Sequence, residues 1–261
     1  MSVTSQNDWN PETYARFRGL RLRPAIDLIQ QIAAVPAGDV VDLGCGAGAV
    51  GDALGERFNG HRIIGVDSSE AMLVKAAETR SYDDLVHADI AHWQPARAPA
   101  VVFSNAALNW LNNHDRLLPR LAGYLAPGGV LAFQVPGQHD APSHALAREV
   151  AVRRFPAVFG TGGWNADVLT PAEYHAILSP SGAVNVWETS YCQRLAPVEE
   201  GHPVRAFTQS TYLRPILDRL DDAQQADYLA TYDAALALAY PLRADGSVLF
   251  PFRRVFAVVV T

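Results

Sequence analysis

The chain has 261 residues, 49% of them hydrophobic, and a formal net charge of −6. That length suits one large α/β domain with an elaboration. The acidic balance argues against non-specific nucleic-acid binding, which needs a basic surface, and no Lys/Arg cluster with interleaved aromatics offsets it.

The opening Met1-Ser2-Val3-Thr4-Ser5-Gln6-Asn7-Asp8 has neither a basic region nor an apolar core, so no signal peptide is expected. No apolar run approaches the roughly 20 residues of a membrane-spanning helix. Further along, Val40-Val41-Asp42-Leu43 reads as a short buried strand running into the turn Gly44-Cys45-Gly46-Ala47-Gly48, with a helix from about Ala49 to Phe58. Arg62 to Asp67 is the next strand, and Leu85 to Ala88 the third. Ala100 to Ser104 follows, then a helix around His114 to Leu125 that stops near Ala126 because Pro127-Gly128-Gly129 breaks it. Gly129 to Val135 is a fifth strand. Regular alternation of this kind implies a parallel sheet with helices on both faces.

The second half breaks that rhythm. Helical pieces are expected around His144 to Phe155 and Ala172 to Leu178, separated by Gly160-Thr161-Gly162-Gly163. Ala183 to Leu195 reads as a strand, Pro197 to Arg243 as mostly helical with a long stretch from Asp222 to Tyr240, and Ser247 to Val260 as a final strand. The chain is therefore divided into a core with an N-terminal cover over 1–135, a helical lid insertion over 136–183, a core strand over 184–196, a second helical lid insertion over 197–246, and a closing strand over 247–261.

Three acids stand at successive strand ends, which is where such sheets bind ligands. Glycines at the first turn let backbone and ligand approach. The spacing Gly44-x-Gly46-x-x-Ala49 alone also fits a dinucleotide fingerprint. Asp42 decides against that: a carboxylate two residues before the first glycine repels a pyrophosphate on the helix N-terminus. It attracts instead the sulfonium and α-amino groups of S-adenosylmethionine. Asp67 suits the two ribose hydroxyls, a feature shared with dehydrogenases. Asp89 suits the adenine amino group. For each acid taken singly, a helix cap or solvated loop is the competing reading. Cys45 and Cys192 stand in no metal-ligand spacing, so no metal is expected, and a reduced, cytoplasmic setting follows.

The stretches Asp42 to Gly48, Gly65-Val66-Asp67-Ser68-Ser69-Glu70-Ala71-Met72, Ala88-Asp89-Ile90 and Ser104 to Trp110 resemble the Rossmann-like class I methyltransferases. Asp8-Trp9-Asn10-Pro11-Glu12-Thr13-Tyr14, Arg21-Leu22-Arg23-Pro24, Pro142-Ser143-His144, Val186 to Tyr191, Leu213-Arg214-Pro215 and Phe252 to Phe256 further resemble the trans-aconitate methyltransferase family over nearly the whole chain. The resemblance implies a methyl-ester-forming enzyme that uses S-adenosylmethionine. Its methionine part would lie on Asp42, Gly44, Cys45 and Gly46, with the ribose on Asp67. The base would lie among Ser68, Met72, Asp89 and Ile90. Asn105 would sit beside the sulfonium with Leu108 nearby, and Arg23 would meet the cofactor carboxylate beneath Trp9 and Tyr14.

The implied substrate is a small polycarboxylate, whose spare carboxylates suit the planar fork of arginine. Arg214 and Arg254 are the candidates, with His144, Tyr14, Trp110, Tyr191 and Tyr240 as further contacts. Arg253 and Arg254 occupy successive strand positions, so one of them faces outwards. Arg214 reads evenly as a ligand anchor or a helix-cap partner, whereas His144 in such a place is more often a capping or packing histidine than a ligand. A carboxylate is already a nucleophile at neutral pH, so no catalytic acid or base is expected, and proximity and orientation carry the reaction. Two positions depart from the family pattern: Gln193, where histidine is usual, and Tyr212, where glycine is usual. They leave open a class I methyltransferase acting on another small acid or a secondary metabolite. A non-catalytic S-adenosylmethionine-binding protein is the third reading. Neither nucleic acid nor membrane is expected as a partner, and the chain should be a monomer or weak dimer.

Overall fold

The computed structural model describes residues 18–160, 168–209 and 211–261. Trp9 and Tyr14 lie outside the described residues. The first described element is a helix, α1 (Arg18–Gln30), with Pro24 inside it. Proline in a helix interior removes one hydrogen bond and usually argues against a helix. Here Pro24, Ala25, Leu28 and Ile29 form one buried stripe at helical spacing, and burial outweighs the lost bond.

Five parallel strands follow: β1 (Val40–Leu43), β2 (Ile63–Asp67), β3 (Asp84–His87), β4 (Val101–Asn105) and β5 (Val130–Pro136). Between them run α2 (Gly51–Arg57), α3 (Glu70–Thr79) and α4 (His114–Ala122). All four residues of β1 are buried, as expected of a central parallel strand covered on both faces. The long strands β6 (Ala183–Leu195) and β7 (Val248–Val260) complete a seven-stranded sheet of order β3-β2-β1-β4-β5-β7-β6, with β7 antiparallel to β5. The strand order reverses between β1 and β4, which opens a crevice at their carboxyl ends. Helix α4 ends at Ala122, three residues before Leu125, and is followed by Gly123, whose N–H turns back to the Pro119 carbonyl.

The described chain divides into two compact units. The first takes 18–136, 168–189 and 254–261. Its main core packs Val41, Leu43, Val102, Leu131, Phe133, Val255 and Ala257 of the sheet against Leu117, Leu118 and Leu121 of α4. Tyr174 and Leu178 of α7 (Pro171–Leu178) join them. Emptying one large position, such as Phe133, costs about 3–5 kcal/mol.

The second unit takes 137–160, 190–209 and 211–253. It gathers α5 (Pro142–Arg154), α6 (Pro156–Phe159), α8 (Pro203–Gln209), α9 (Arg214–Leu217) and α10 (Asp222–Ala239). Helix α10 begins with a capping box of Asp221 and Gln224. Its Tyr228 and Tyr232, four residues apart on one face, donate their phenols to the carbonyls of Ala147 (3.1 Å) and Ser143 (2.7 Å) on α5. Buried tyrosines hold two helices in register when each hydroxyl finds such a partner. Buried Arg205 is paired with Asp233 at 3.1 Å.

Candidate functional site

The loop after β1 is set by two glycines. Gly44 has φ +83°, and a Cβ there would lie 2.2 Å from that of Ala107, so no side chain fits. Gly46 has φ +54°, but nothing lies within 4 Å of where its Cβ would be. The first glycine is required by the protein's own packing; the second borders open space. The N–H groups of Gly44 and Cys45 both donate to the Val66 carbonyl (2.7 and 3.0 Å), tying the loop to β2. Asp67, at the end of β2, accepts from the Gly46 N–H through Oδ2 (2.8 Å) and from the Ser69 N–H through Oδ1 (2.9 Å). A carboxylate has about four lone-pair sites, so each oxygen keeps room for another donor.

Asp42 is buried, and Tyr82 donates its phenol to Oδ2 over 2.7 Å. Burial pushes the Asp42 carboxyl up to about 7, the phenol only partly opposing it. Tyr82 lies between α3 and β3, and its side chain fills the space beside Gly48, Gly51 and Gly65, where added Cβ atoms would fall 3.1, 2.8 and 3.0 Å from it. These glycines make room for Tyr82. Burial also drives the Cys45 thiol far up, which suits a packing role.

Asp89 is exposed and caps its own turn. Its Oδ1 accepts from the Ala91 N–H (2.8 Å), and its Oδ2 faces His92 Nδ1 at 3.2 Å. The next turn is held by Arg120, which donates to the carbonyls of Ala91 (2.5 Å) and Ile90 (2.9 Å). Ile90 and Met72 are nearly buried, Leu108 is wholly enclosed, and Ser68 is exposed. Arg23 is exposed on α1, 3.9 Å from Asp27.

At the end of β4, Asn105 stands in register with Gln134 of β5. Gln134 Nε2 donates to Asn105 Oδ1, and Gln134 Oε1 accepts from Arg254 Nη1 at 3.1 Å. Arg254 is buried on β7, in register with Pro136. Its neighbour Arg253 is exposed and donates through Nε to the Gly137 carbonyl at 2.6 Å. Trp110 is 46% exposed on the short 3-10 turn Leu108–Trp110. That turn is fixed by buried His114, bridged between the Leu108 carbonyl and the Tyr174 hydroxyl, each at 2.9 Å.

The remaining candidates lie in the second unit. His144 contacts Ser143 Oγ through Nδ1 (3.0 Å), and its ring lies 3.7 Å from that of Tyr212. Burial, helped by the nearby Arg148 and His139, pushes its pKa down to about 3, so it is neutral at physiological pH. Arg148 donates to the Tyr212 hydroxyl (3.0 Å) and to the His139 carbonyl (2.8 Å). The unusual phenol at position 212 therefore has a partner of its own. Tyr191 and Gln193 are buried two residues apart on β6. Arg214 is half-buried, 3.9 Å from Asp218. Tyr240 is buried, and its hydroxyl accepts from the Ser143 N–H at 3.1 Å, capping the start of α5. Among the described residues, no group of three or more His, Cys, Asp or Glu side chains could hold a metal ion. No described helix is long and apolar enough to cross a membrane.

Tyr82, Gln134, Arg120 and Arg148 were not singled out from the sequence. Each matters through a partner distant in the chain, 40 residues for Tyr82 with Asp42 and 120 for Gln134 with Arg254.

A seven-stranded sheet with an antiparallel β7, a glycine loop after β1 and an acid ending β2 define a class I methyltransferase fold. The chain matches the methyltransferase domain family over residues 14–184. It belongs to the trans-aconitate 2-methyltransferase family. It is 41% identical over 257 residues to the trans-aconitate 2-methyltransferase of Paracidovorax citrulli, covering 97% of this chain and 98% of that one. It is 40% identical over 258 residues to that of Variovorax paradoxus (96% and 97%) and 41% identical over 259 residues to that of Methylobacterium radiotolerans (96% and 97%). Among solved structures, the YcgJ protein of Bacillus subtilis has the same fold, with a TM-score of 0.56 at 14% identity over 92% of this chain and 98% of that one. So does a Haemonchus contortus phosphoethanolamine N-methyltransferase in complex with S-adenosyl-L-methionine, with a TM-score of 0.53 at 17% identity over 91% of this chain and 52% of that one.

Proposed function

We propose that this protein forms a methyl ester on trans-aconitate, using S-adenosylmethionine. The observation that carries the reading is the open space at Gly46 beside the Asp67 carboxylate, in a chain whose relatives bear that activity in their names. S-adenosylmethionine supplies an electrophilic methyl group carried on a sulfonium. The residues fit such a ligand: Asp67 retains acceptor capacity for two ribose hydroxyls, and Asp42 offers a buried carboxyl to a cationic amine. Asp89, Ile90, Ser68 and Met72 would surround the base, and Arg23 would meet the carboxylate.

For the acid, Arg254 is the anchor in the first unit. A desolvated guanidinium grips a carboxylate strongly and planarly. A carboxylate needs no base to activate it, so the residues have only to hold it, orient it and exclude water. Holding reactants in near-attack geometry contributes about 7–11 kcal/mol. The two free cysteines suit a reducing compartment, the cytoplasm.

The test is incubation of the purified protein with S-adenosylmethionine and a panel of acids, with methyl ester detected by mass spectrometry. Ester from trans-aconitate in preference to the others is the expected result. A second reading, another small acid as acceptor, is motivated by Tyr212, whose phenol engages Arg148 and whose ring lies tilted against that of His144. Ester formed only from another acid would establish it, and cofactor binding without any turnover would overturn both.

A further inference from the structure

We infer that Asn105 is a hydrogen-bond donor to the acid undergoing methylation, and that Gln134 is the positioning residue that makes it one. The inference rests on the reading of acid methylation and goes beyond it by assigning an orientation. An amide side chain has one accepting arm and one donating arm, and only its partners say which is which. Here the ambiguity is resolved from one end. The guanidinium of Arg254 only donates, so the arm of Gln134 that it meets is Oε1. The other arm, Nε2, then donates to Asn105, which must answer with Oδ1. The remaining arm of the planar Asn105 amide is Nδ2 with its two hydrogens. A donor at this strand end suits a carboxylate oxygen and opposes a sulfonium, so Asn105 serves the acid and not the cation.

Gln134 holds the same corner a second time through its backbone. Its carbonyl accepts from the N–H of Ala106 (2.9 Å), a residue forced to φ +55°, in the left-handed region that alanine avoids. That kink brings the Ala107 methyl against Gly44. One wholly buried glutamine thus fixes the Arg254 guanidinium, the sense of the Asn105 amide and the turn beyond it.

The experiment compares Q134E and Q134M with the wild type in steady-state methylation of trans-aconitate, or of whichever acid the wild type methylates best. Calorimetric titration with S-adenosylhomocysteine and thermal melts run alongside. Gln134→Glu keeps the shape and the acceptor for Arg254 but has no proton for Asn105, which would then turn its carbonyl to the acid. Gln134→Met removes both bonds without adding charge. Both variants should raise the KM for the acid about tenfold or more, with affinity for S-adenosylhomocysteine within about twofold of the wild type. An acid KM within about threefold of the wild type in Q134M would overturn the proposal, because a loss confined to Q134E would then come from its added charge. A loss confined to Q134M would overturn the orientation of Asn105, and an equal loss of cofactor affinity would reduce Gln134 to a structural residue. A wild type that methylates no acid would overturn the underlying reading and this inference with it. A wild type that turns over normally, with both variants unaffected, overturns this inference alone.

Discussion

Gly46 donates its backbone N–H to Asp67 Oδ2 over 2.8 Å, so the glycine loop after β1 and the acid ending β2 form one assembly. The contact joins residues 21 apart and couples two jobs in one carboxylate: Asp67 shapes the loop and keeps lone pairs for a ligand.

Asp67→Ala should therefore weaken cofactor binding more than the loss of the ligand's own bonds would. Each charge-assisted hydrogen bond to ribose is worth roughly 1.5–3 kcal/mol, and the freed loop adds ordering entropy to be lost on binding. Calorimetry should show a dissociation constant at least about a hundredfold higher. An unchanged constant would remove Asp67 from the site.

Gly46→Val should abolish cofactor binding in a folded protein. Apart from its chain neighbours, no atom of the described residues lies within 4 Å of where the new Cβ would be, so the expected steric clash is with the ligand. The residue's φ of +54° adds a backbone penalty of roughly 1–2 kcal/mol, visible as a modest fall in Tm. Gly44→Val meets Ala107 instead and should unfold the loop outright. A correctly folded Gly46→Val protein that still binds S-adenosylhomocysteine would show that the glycine serves only the turn.

The strand ends were legible because a parallel strand buried on both faces is a continuous apolar run, and the acids of β1 and β2 interrupt or end such runs. The partners of those acids were not. Tyr82 stands in a turn with no periodic signal, and Gln134 looks like an ordinary polar residue in a strand; only the folded chain brings them to Asp42, Asn105 and Arg254. Asp89 shows the opposite limit. The bonds seen for its carboxylate are local, to Ala91 and His92, as the capping alternative anticipates. At β7 the alternation rule separates an exposed Arg253 from a buried Arg254.

Asp42→Asn should change how stability depends on pH. Burial raises the folded-state pKa of Asp42 from 3.8 to about 7, so between those values the folded protein binds a proton that the unfolded chain has released. Its stabilising contribution is complete below pH 4 and is lost as pH rises towards and through 7. Three units correspond to an upper bound of about 4 kcal/mol. The wild-type Tm should thus fall between pH 5 and pH 8 relative to Asp42→Asn, which has no proton to lose. Parallel Tm curves for the two proteins would show that Asp42 is already ionised at pH 5.

Arg254→Met should cripple methylation of the acid while leaving cofactor affinity close to the wild type. Arg254 is buried and held by Gln134, so it meets a substrate carboxylate with its geometry already set. Removing one partner of a desolvated charge pair costs roughly 3–5 kcal/mol, which is more than a hundredfold in kcat/KM. Arg253→Met is the control. That side chain is exposed, and its bond from Nε to the Gly137 carbonyl is partly open to water, so the effect on kcat/KM should stay within a few-fold. Steady-state methylation by both variants, with titrations of S-adenosylhomocysteine, separates the outcomes. If Arg253→Met is the damaged enzyme, the anchor is on the other face of β7. If both retain full kcat/KM, no arginine of this strand grips the acid, and recognition of a polycarboxylate must come from elsewhere in the chain.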